Sequence, residues 1–80
     1  LDQEVLKWGE LPVGAHIVAE IYATLGDKVR SLDWLDRAVR AGDERAEWFE
    51  RDTLLATIRD EPRFRQILES IRYRRKQRAL

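Results

Sequence analysis

The apolar residues of this chain recur at helical spacing, and no stretch alternates strictly between apolar and polar positions. Pro12 suits the first turn of a helix, and Gly26 suits the left-handed stop that ends one. Between these two residues the apolar positions step by one and three, which predicts a helix over 12–25 with one broad stripe: Ile17, Val18, Ile21, Tyr22 and Leu25. The same periodicity continues along the chain, so the predicted fold class is all-α.

A second helix is predicted over 28–41, with Asp27 as its N-cap. Its core stripe comprises Leu32, Leu35 and Val39, and its exposed face carries the i,i+4 pairs Asp33/Arg37 and Asp36/Arg40. Only Gly26 and Asp27 separate the two predicted helices. Such a short turn predicts an antiparallel helical hairpin.

The pattern is less regular after Gly42. Apolar residues between Trp48 and Ile58 predict either one bent helix or two short ones, with Asp52 as an internal cap. Trp34 and Trp48 are expected to pack in helix–helix seams.

A last helix is predicted with Asp60 as its cap and Pro62 in its first turn. Its apolar face consists of Phe64, Ile67, Leu68 and Ile71. The stripe then passes to arginines, so core contact should end near Ile71 and the final two turns should project into water. At the other end of the chain, Leu1, Val5 and Trp8 share a face that reads as the tail of a preceding helix.

The segment from Ala19 to Asp27, followed by small Ser31, large Leu35 and small Ala38, resembles a tetratricopeptide repeat. The resemblance implies a TPR-like hairpin over 11–44, preceded by the tail of a helix at 1–10 and followed by C-terminal capping helices with a basic tail over 45–80. The sequence departs from the family pattern at three positions: Ala15, Ser31 and Asp43 stand where Trp, Ala and Pro are common. An ordinary four-helix miniature would show similar stripes and remains the alternative.

The segment 59–68 also resembles the stretch that closes TPR arrays in bacterial multidomain proteins. Together with a first residue, Leu1, that is not Met, this resemblance leads us to expect the C-terminal piece of a larger bacterial-type polypeptide. TPR modules act as scaffolds for protein–protein interaction. The resemblance therefore implies a non-catalytic scaffold whose partner is a protein or peptide segment, or a neighbouring domain of the same polypeptide. Self-association is also possible for a fragment that exposes an apolar face.

The resemblance further implies which residues meet the partner. Val13, His16, Glu20 and Thr24 would line the concave side of the first helix, where such arrays hold peptides. Read without the resemblance, His16 is a solvated or partly packed helix residue. It is the only histidine in the chain.

Composition excludes several kinds of chemistry. The 80 residues include no cysteine, which removes disulfides, thiol nucleophiles and cysteine-based zinc sites. The carboxylate pairs Asp33/Asp36 and Glu47/Glu50 have no calcium-loop pattern and read as solvated faces. We therefore expect no enzyme activity, no catalytic residue, no cofactor and no metal. With no apolar run long enough to span a bilayer, we expect no membrane partner, and a cytoplasmic location is the default.

Fifteen basic and fifteen acidic residues balance, but their distribution is uneven. Residues 1–58 carry seven basic and twelve acidic residues (7 − 12 = −5), and residues 59–80 carry eight and three (8 − 3 = +5). The positive end is concentrated in a basic patch: Arg72, Arg74, Arg75, Lys76 and Arg78. This patch supports an alternative function, binding of nucleic acid or an acidic surface, against the simpler interpretation of a solvated helix end.

Overall fold

The computed structural model describes Gln3 and residues 12–79, with side chains from residue 14 onward and for Gln3. Every regular element within this part of the chain is a helix, which confirms the all-α prediction. The elements are α1 (Pro12–Thr24), α2 (Lys28–Arg40), α3 (Ala46–Arg51), a 3₁₀ helix (Thr53–Ile58) and α4 (Pro62–Ala79). The predicted helix tail at 1–10 lies outside the described residues apart from Gln3, which is helical.

Helices α1 and α2 form the most extensive helix–helix interface of the described chain. Gly26 adopts a φ of 80° in the turn between them, as the predicted left-handed stop requires. The Asp27 carboxylate then accepts a hydrogen bond from the Arg30 backbone N–H at 3.1 Å and caps α2. Inside the interface, the buried Ser31 hydroxyl donates to the Ala19 carbonyl oxygen at 2.7 Å. Small residues at these two positions allow the helices to approach closely.

The buried face of α1 differs from the predicted stripe. Of the predicted stripe, Val18 is fully buried and Ile21 and Tyr22 are half-buried, but Ile17 is 39% exposed and Leu25 is 67% exposed. The other residues that α1 buries are small or polar: Gly14, Ala15, His16, Ala19 and Ala23. The reason is that α1 is covered on two sides, by α2 and by the 3₁₀ helix. Because α2 and the 3₁₀ helix both approach α1 closely, alanine fits at the contacts, and the larger side chains of Ile17 and Leu25 lie at the edges of these interfaces.

Asp52 divides the segment after Gly42 into two short helices, as one of the two sequence-based alternatives predicted. Its backbone is extended, and its carboxylate accepts from the Leu54 backbone N–H at 3.0 Å. The 3₁₀ helix that follows packs on α1, where the Thr57 hydroxyl donates to the Ala23 carbonyl at 3.0 Å. The break at Asp52 thus turns the chain onto the face of α1 that α2 leaves uncovered.

Helix α4 begins at Pro62, and the residue at its N-cap position is Glu61 rather than Asp60. The Glu61 carbonyl accepts from the N–H groups of Phe64 and Arg65 at 3.0 and 3.4 Å, so Asp60 lies one residue before the cap position. Its buried residues are Phe64, Ile67, Leu68 and Ile71, as predicted.

One cluster of buried side chains connects all five helices. Trp34 packs against this cluster half-buried, whereas Trp48 is 57% exposed, contrary to the prediction that both would sit in seams. The buried members are Ala19, Ala23, Leu32, Leu35, Val39, Ala46, Phe49, Leu55, Ile58, Phe64, Ile67, Leu68 and Ile71. None of the helices in the described chain combines the length and the apolar character needed to cross a membrane.

Gly42, which follows α2, adopts a φ of 112°, and a Cβ added there would meet nothing within 4 Å. We expect Gly42→Ala to lower the free energy of unfolding by about 1–2 kcal/mol, because only backbone strain changes. Urea unfolding measures this loss, with the exposed helical variant Gln66→Ala as the control. Equal stability of the two variants would contradict a left-handed conformation at this turn.

Candidate functional site

His16 lies on the buried face of α1, with 4% of its surface exposed, and both ring nitrogens are engaged. Its Nε2 is 2.9 Å from Asp52 Oδ2, and its Nδ1 is 3.0 Å from Arg45 Nη2. A guanidinium group can only donate, so Nδ1 must accept and Nε2 must carry the hydrogen that it donates to Asp52. This pairing assigns His16 as the neutral imidazole with its proton on Nε2.

Arg45 is held in place by Asp43. Two parallel hydrogen bonds join Nε to Oδ1 at 2.9 Å and Nη2 to Oδ2 at 2.8 Å, the bidentate arrangement that arginine and carboxylate favour. Asp43 itself is only 6% exposed. The hydrogen bond with Asp43 raises the pKa of Arg45 above its ordinary value despite partial burial. The positive charge of Arg45 is therefore committed mainly to Asp43.

Glu20 lies one turn after His16 on α1, with its Oε2 3.9 Å from His16 Nε2. Burial, the hydrogen bond with Asp52 and the negative charge of Asp52 together raise the pKa of Glu20 from its ordinary value to about 7, against a smaller lowering by the charge of Arg45. For Asp52, burial acts to raise the pKa, but hydrogen bonds from Glu20, the Leu54 amide and His16 outweigh burial and hold the pKa below its usual range. Around neutral pH, the proton of this carboxyl pair thus resides on Glu20.

These five side chains form one connected group, the polar cluster: His16, Glu20, Asp43, Arg45 and Asp52. It joins α1 to the loop before α3 and to the residue that caps the 3₁₀ helix. Phe49 covers it from α3, with the Phe49 ring 5.0 Å from the His16 ring. Its members come from three parts of the chain: His16 and Glu20 from α1, Asp43 and Arg45 from the loop before α3, and Asp52 from the start of the 3₁₀ helix.

Three members have the donor types of a metal site. Ligand atoms of His16, Glu20 and Asp52 all lie within 4.8 Å of one another. Coordination through His16 Nε2 would require the ring proton to move to Nδ1, where it would face the N–H groups of Arg45. In this arrangement the polar cluster can hold a proton on its carboxyl groups, but the imidazole is not set up to bind a metal ion.

A shallow groove lies beside the polar cluster, between α1 and the start of the 3₁₀ helix. It encloses about 170 Å³, its surface is mostly apolar, and its lining residues are Ile17, Glu20, Ile21, Thr24 and Leu54. We call it the α1 groove. Two of its large apolar side chains remain accessible, Ile17 at 39% and Leu54 at 48%.

The four predicted partner-binding residues have different positions relative to the α1 groove. Glu20 and Thr24 line it. His16 lies beneath it in the polar cluster and exposes too little surface to meet a partner directly. The side chain of Val13 lies outside the described residues.

The basic patch faces acidic residues rather than open water. Three arginines at three-residue spacing on α4 pair with three glutamates at the same spacing on and before α3: Arg72 with Glu50, Arg75 with Glu47 and Arg78 with Glu44. Arg74 donates to the Val39 carbonyl oxygen at 2.8 Å, and Lys76 is exposed. The last two turns of α4 are solvent-exposed, which confirms that core contact ends near Ile71. The glutamate–arginine ladder adds surface ion pairs between these turns and α3 with the residue Glu44 before it.

Three members of the polar cluster were named from the sequence: His16 and Glu20 as partner-contact residues and Asp52 as a helix cap. Arg45 was not named as a functional residue, and Asp43 was considered only as a departure from the repeat pattern. The i,i+4 spacing of His16 and Glu20 was the one local signal available. Contacts across 29 and 36 residues leave no such local signal in a single sequence.

Comparison with known proteins gives no match: no family model, no curated protein and no solved structure is significantly similar to this chain. The function therefore has to be argued from the geometry of the α1 groove, the polar cluster and the glutamate–arginine ladder.

The raised pKa of Glu20 makes stability depend on pH. Because the folded state binds this proton more tightly than the unfolded chain does, the free energy of unfolding should fall as the pH rises from 4.5 to about 7. The lowered pKa of Asp52 has the opposite sign but acts below 3.8, outside this window. Glu20→Gln, which mimics the protonated acid, should flatten the fall.

Chemical unfolding across this pH range, with Glu69→Gln on α4 as the control, measures the effect. The control should retain the slope of the wild-type chain. If the free energy of unfolding of Glu20→Gln fell with pH as steeply as that of the wild-type chain, the Glu20 proton would not be the cause of the fall.

The glutamate–arginine ladder should contribute a coupling between α3 and α4 that salt screens. For the pair Glu50 and Arg72, a double-mutant cycle with Glu50→Gln and Arg72→Gln should give a coupling of about 0.2–1 kcal/mol, because both side chains are solvent-exposed. The coupling should shrink in high salt. A coupling that does not change with salt would mean that the pair is not electrostatic.

Proposed function

We propose that this chain is a non-catalytic protein-interaction module of the tetratricopeptide type, which holds a segment of a partner protein in the α1 groove. The observation that carries the proposal is the accessible apolar surface of Ile17 on α1 and Leu54 on the 3₁₀ helix, which line the same groove. Apolar surface of this kind on a folded domain commonly marks an interaction site.

The arrangement of α1 and α2 supports the tetratricopeptide interpretation. Two helices that pack along each other across the three-residue connection Leu25–Asp27 have the geometry of a helical hairpin. The 3₁₀ helix then packs on α1, and α4 packs on α2, as stacked helical pairs do. In this proposal the α1 groove corresponds to the side of the first helix that repeat arrays use for partners.

The size of the α1 groove favours a side chain of a protein over a small-molecule ligand. Its 170 Å³ is well below the roughly 300–1,000 Å³ of typical small-molecule sites. Catalysis is not part of the proposal, since the His16–Asp52 pair is buried and the Ser31 hydroxyl is committed to a backbone carbonyl. A cytoplasmic setting belongs to the same proposal and rests on composition alone.

Binding of nucleic acid through the basic patch is the second candidate and has less support. Arg72, Arg75 and Arg78 already pair with glutamates of the same chain, which lowers the positive potential offered to phosphates. We expect no measurable binding of a short DNA duplex at low salt. Tight binding that weakens steeply with added salt would favour this candidate instead.

The proposal is tested by selecting phage-displayed random peptides against the chain and measuring their affinity by fluorescence anisotropy. Peptides that occupy the α1 groove should lose at least about tenfold in affinity for Leu54→Asp, because the substitution places a charge on an apolar contact. Val29→Asp is the matched control, since Val29 is 68% exposed but does not line the groove. Equal affinity for both variants would contradict the proposal.

A further inference from the structure

The polar cluster holds more negative than positive charge when Glu20 is ionised. Asp43 balances Arg45, His16 is neutral, and the ionised carboxylates of Asp52 and Glu20 then face each other. Within the described part of the chain, Arg45 is the only cation in the cluster, and it is already bound to Asp43 by two hydrogen bonds. The cluster therefore has room for one more positive charge, which a proton supplies when no other cation is present.

Glu20 is the member of the polar cluster that reaches the surface of the α1 groove. It belongs to the polar cluster and also lines the α1 groove, and 16% of its side chain is exposed. The remaining lining of the groove is mostly apolar and includes Ile17 and Leu54. A ligand in the groove would thus meet apolar surface and one carboxyl group that has no lysine or arginine partner among the residues that the structure describes.

We propose that the α1 groove selects a peptide segment that places an apolar side chain against Ile17 and Leu54 and a lysine or arginine side chain on the Glu20 carboxylate. This inference rests on the proposed function and specifies its partner by chemistry. The incoming cation replaces the proton shared by Glu20 and Asp52, and the apolar side chain covers the accessible surface of the groove. Binding therefore releases the Glu20 proton wherever Glu20 is protonated in the free chain, which is nearly one proton at about pH 6 and very little at about pH 8.

Proton release makes the interaction depend on pH. The groups that face Glu20 are His16 on its own helix, Asp52 from the 3₁₀ helix, and Arg45 with its partner Asp43 from the loop before α3. Lysine and arginine side chains of the peptide stay charged near neutral pH, so the titrating group is Glu20. The competent, ionised fraction of Glu20 rises by about tenfold between about pH 6 and pH 8, and affinity should rise by roughly that factor.

The experiment selects phage-displayed random peptides against the chain at about pH 8, where Glu20 is mostly ionised. Peptides that depend on Leu54 should share an apolar residue and a nearby lysine or arginine. Replacing that lysine with norleucine, which keeps the length but not the charge, should weaken binding by about tenfold or more. Because this change is made in the peptide, it does not affect the fold of the chain.

Glu20→Gln should reduce affinity by a similar factor and remove the difference between about pH 6 and pH 8, since it cannot ionise. Glu69→Gln is the control and should behave as the wild-type chain does. Calorimetry at about pH 6, where Glu20 is mostly protonated, in two buffers of different ionisation enthalpy should register the released proton with the wild-type chain but not with Glu20→Gln.

The outcomes separate this inference from the proposed function. Peptides that require Leu54 but show no preference for a basic residue and no response to Glu20→Gln would overturn the inference and leave the proposed function intact. Peptides that ignore Leu54→Asp would overturn both. Sedimentation showing a dimer that Leu54→Asp dissociates would mean that a second copy of the chain occupies the groove, which would also overturn the inference.

Discussion

The structure depends on the need to hydrogen-bond a buried imidazole on both sides. His16 lies on the face of α1 that also packs against the rest of the molecule, and leaving either ring nitrogen without a partner there would cost on the order of 1–3 kcal/mol. Arg45 and Asp52 supply the two partners from distant parts of the chain. The loop before α3 and the start of the 3₁₀ helix are thereby fixed against α1.

This constraint links the core to the surface. Because Asp52 both accepts from His16 and caps the 3₁₀ helix, the position of Leu54 relative to α1 follows from the same carboxylate. Leu54 and Ile17 then form the two sides of the α1 groove, and Glu20 contributes its polar element. On the far side of α3, the glutamate–arginine ladder orients α4 through contacts that are individually weak but regularly spaced. The short helix α3 is thus oriented by two kinds of contact: the buried hydrogen bonds of His16 at its start and the exposed ion pairs of the glutamate–arginine ladder along it.

Local sequence signals predicted the elements well and their faces less well. Asp27, Gly26 and Asp52 act within a few residues of their own position, so their capping and stop roles could be read directly. The stripe on α1 was right for Val18 and wrong for Ile17 and Leu25, because two neighbours cover this helix and alanines take the contacts that those two residues were expected to make. The polar cluster and the glutamate–arginine ladder join residues 22 to 36 positions apart, and such pairings are decided by tertiary packing rather than by local pattern.

The tautomer of His16 provides the most direct measurement of this constraint. Nitrogen-15 chemical shifts of the imidazole, recorded slightly above neutral pH, distinguish a ring protonated on Nε2 from one protonated on Nδ1 or on both nitrogens. The geometry of Arg45 and Asp52 predicts a neutral ring with its proton on Nε2. A proton on Nδ1 would show that Arg45 does not donate to His16, and the polar cluster as described would then be incorrect.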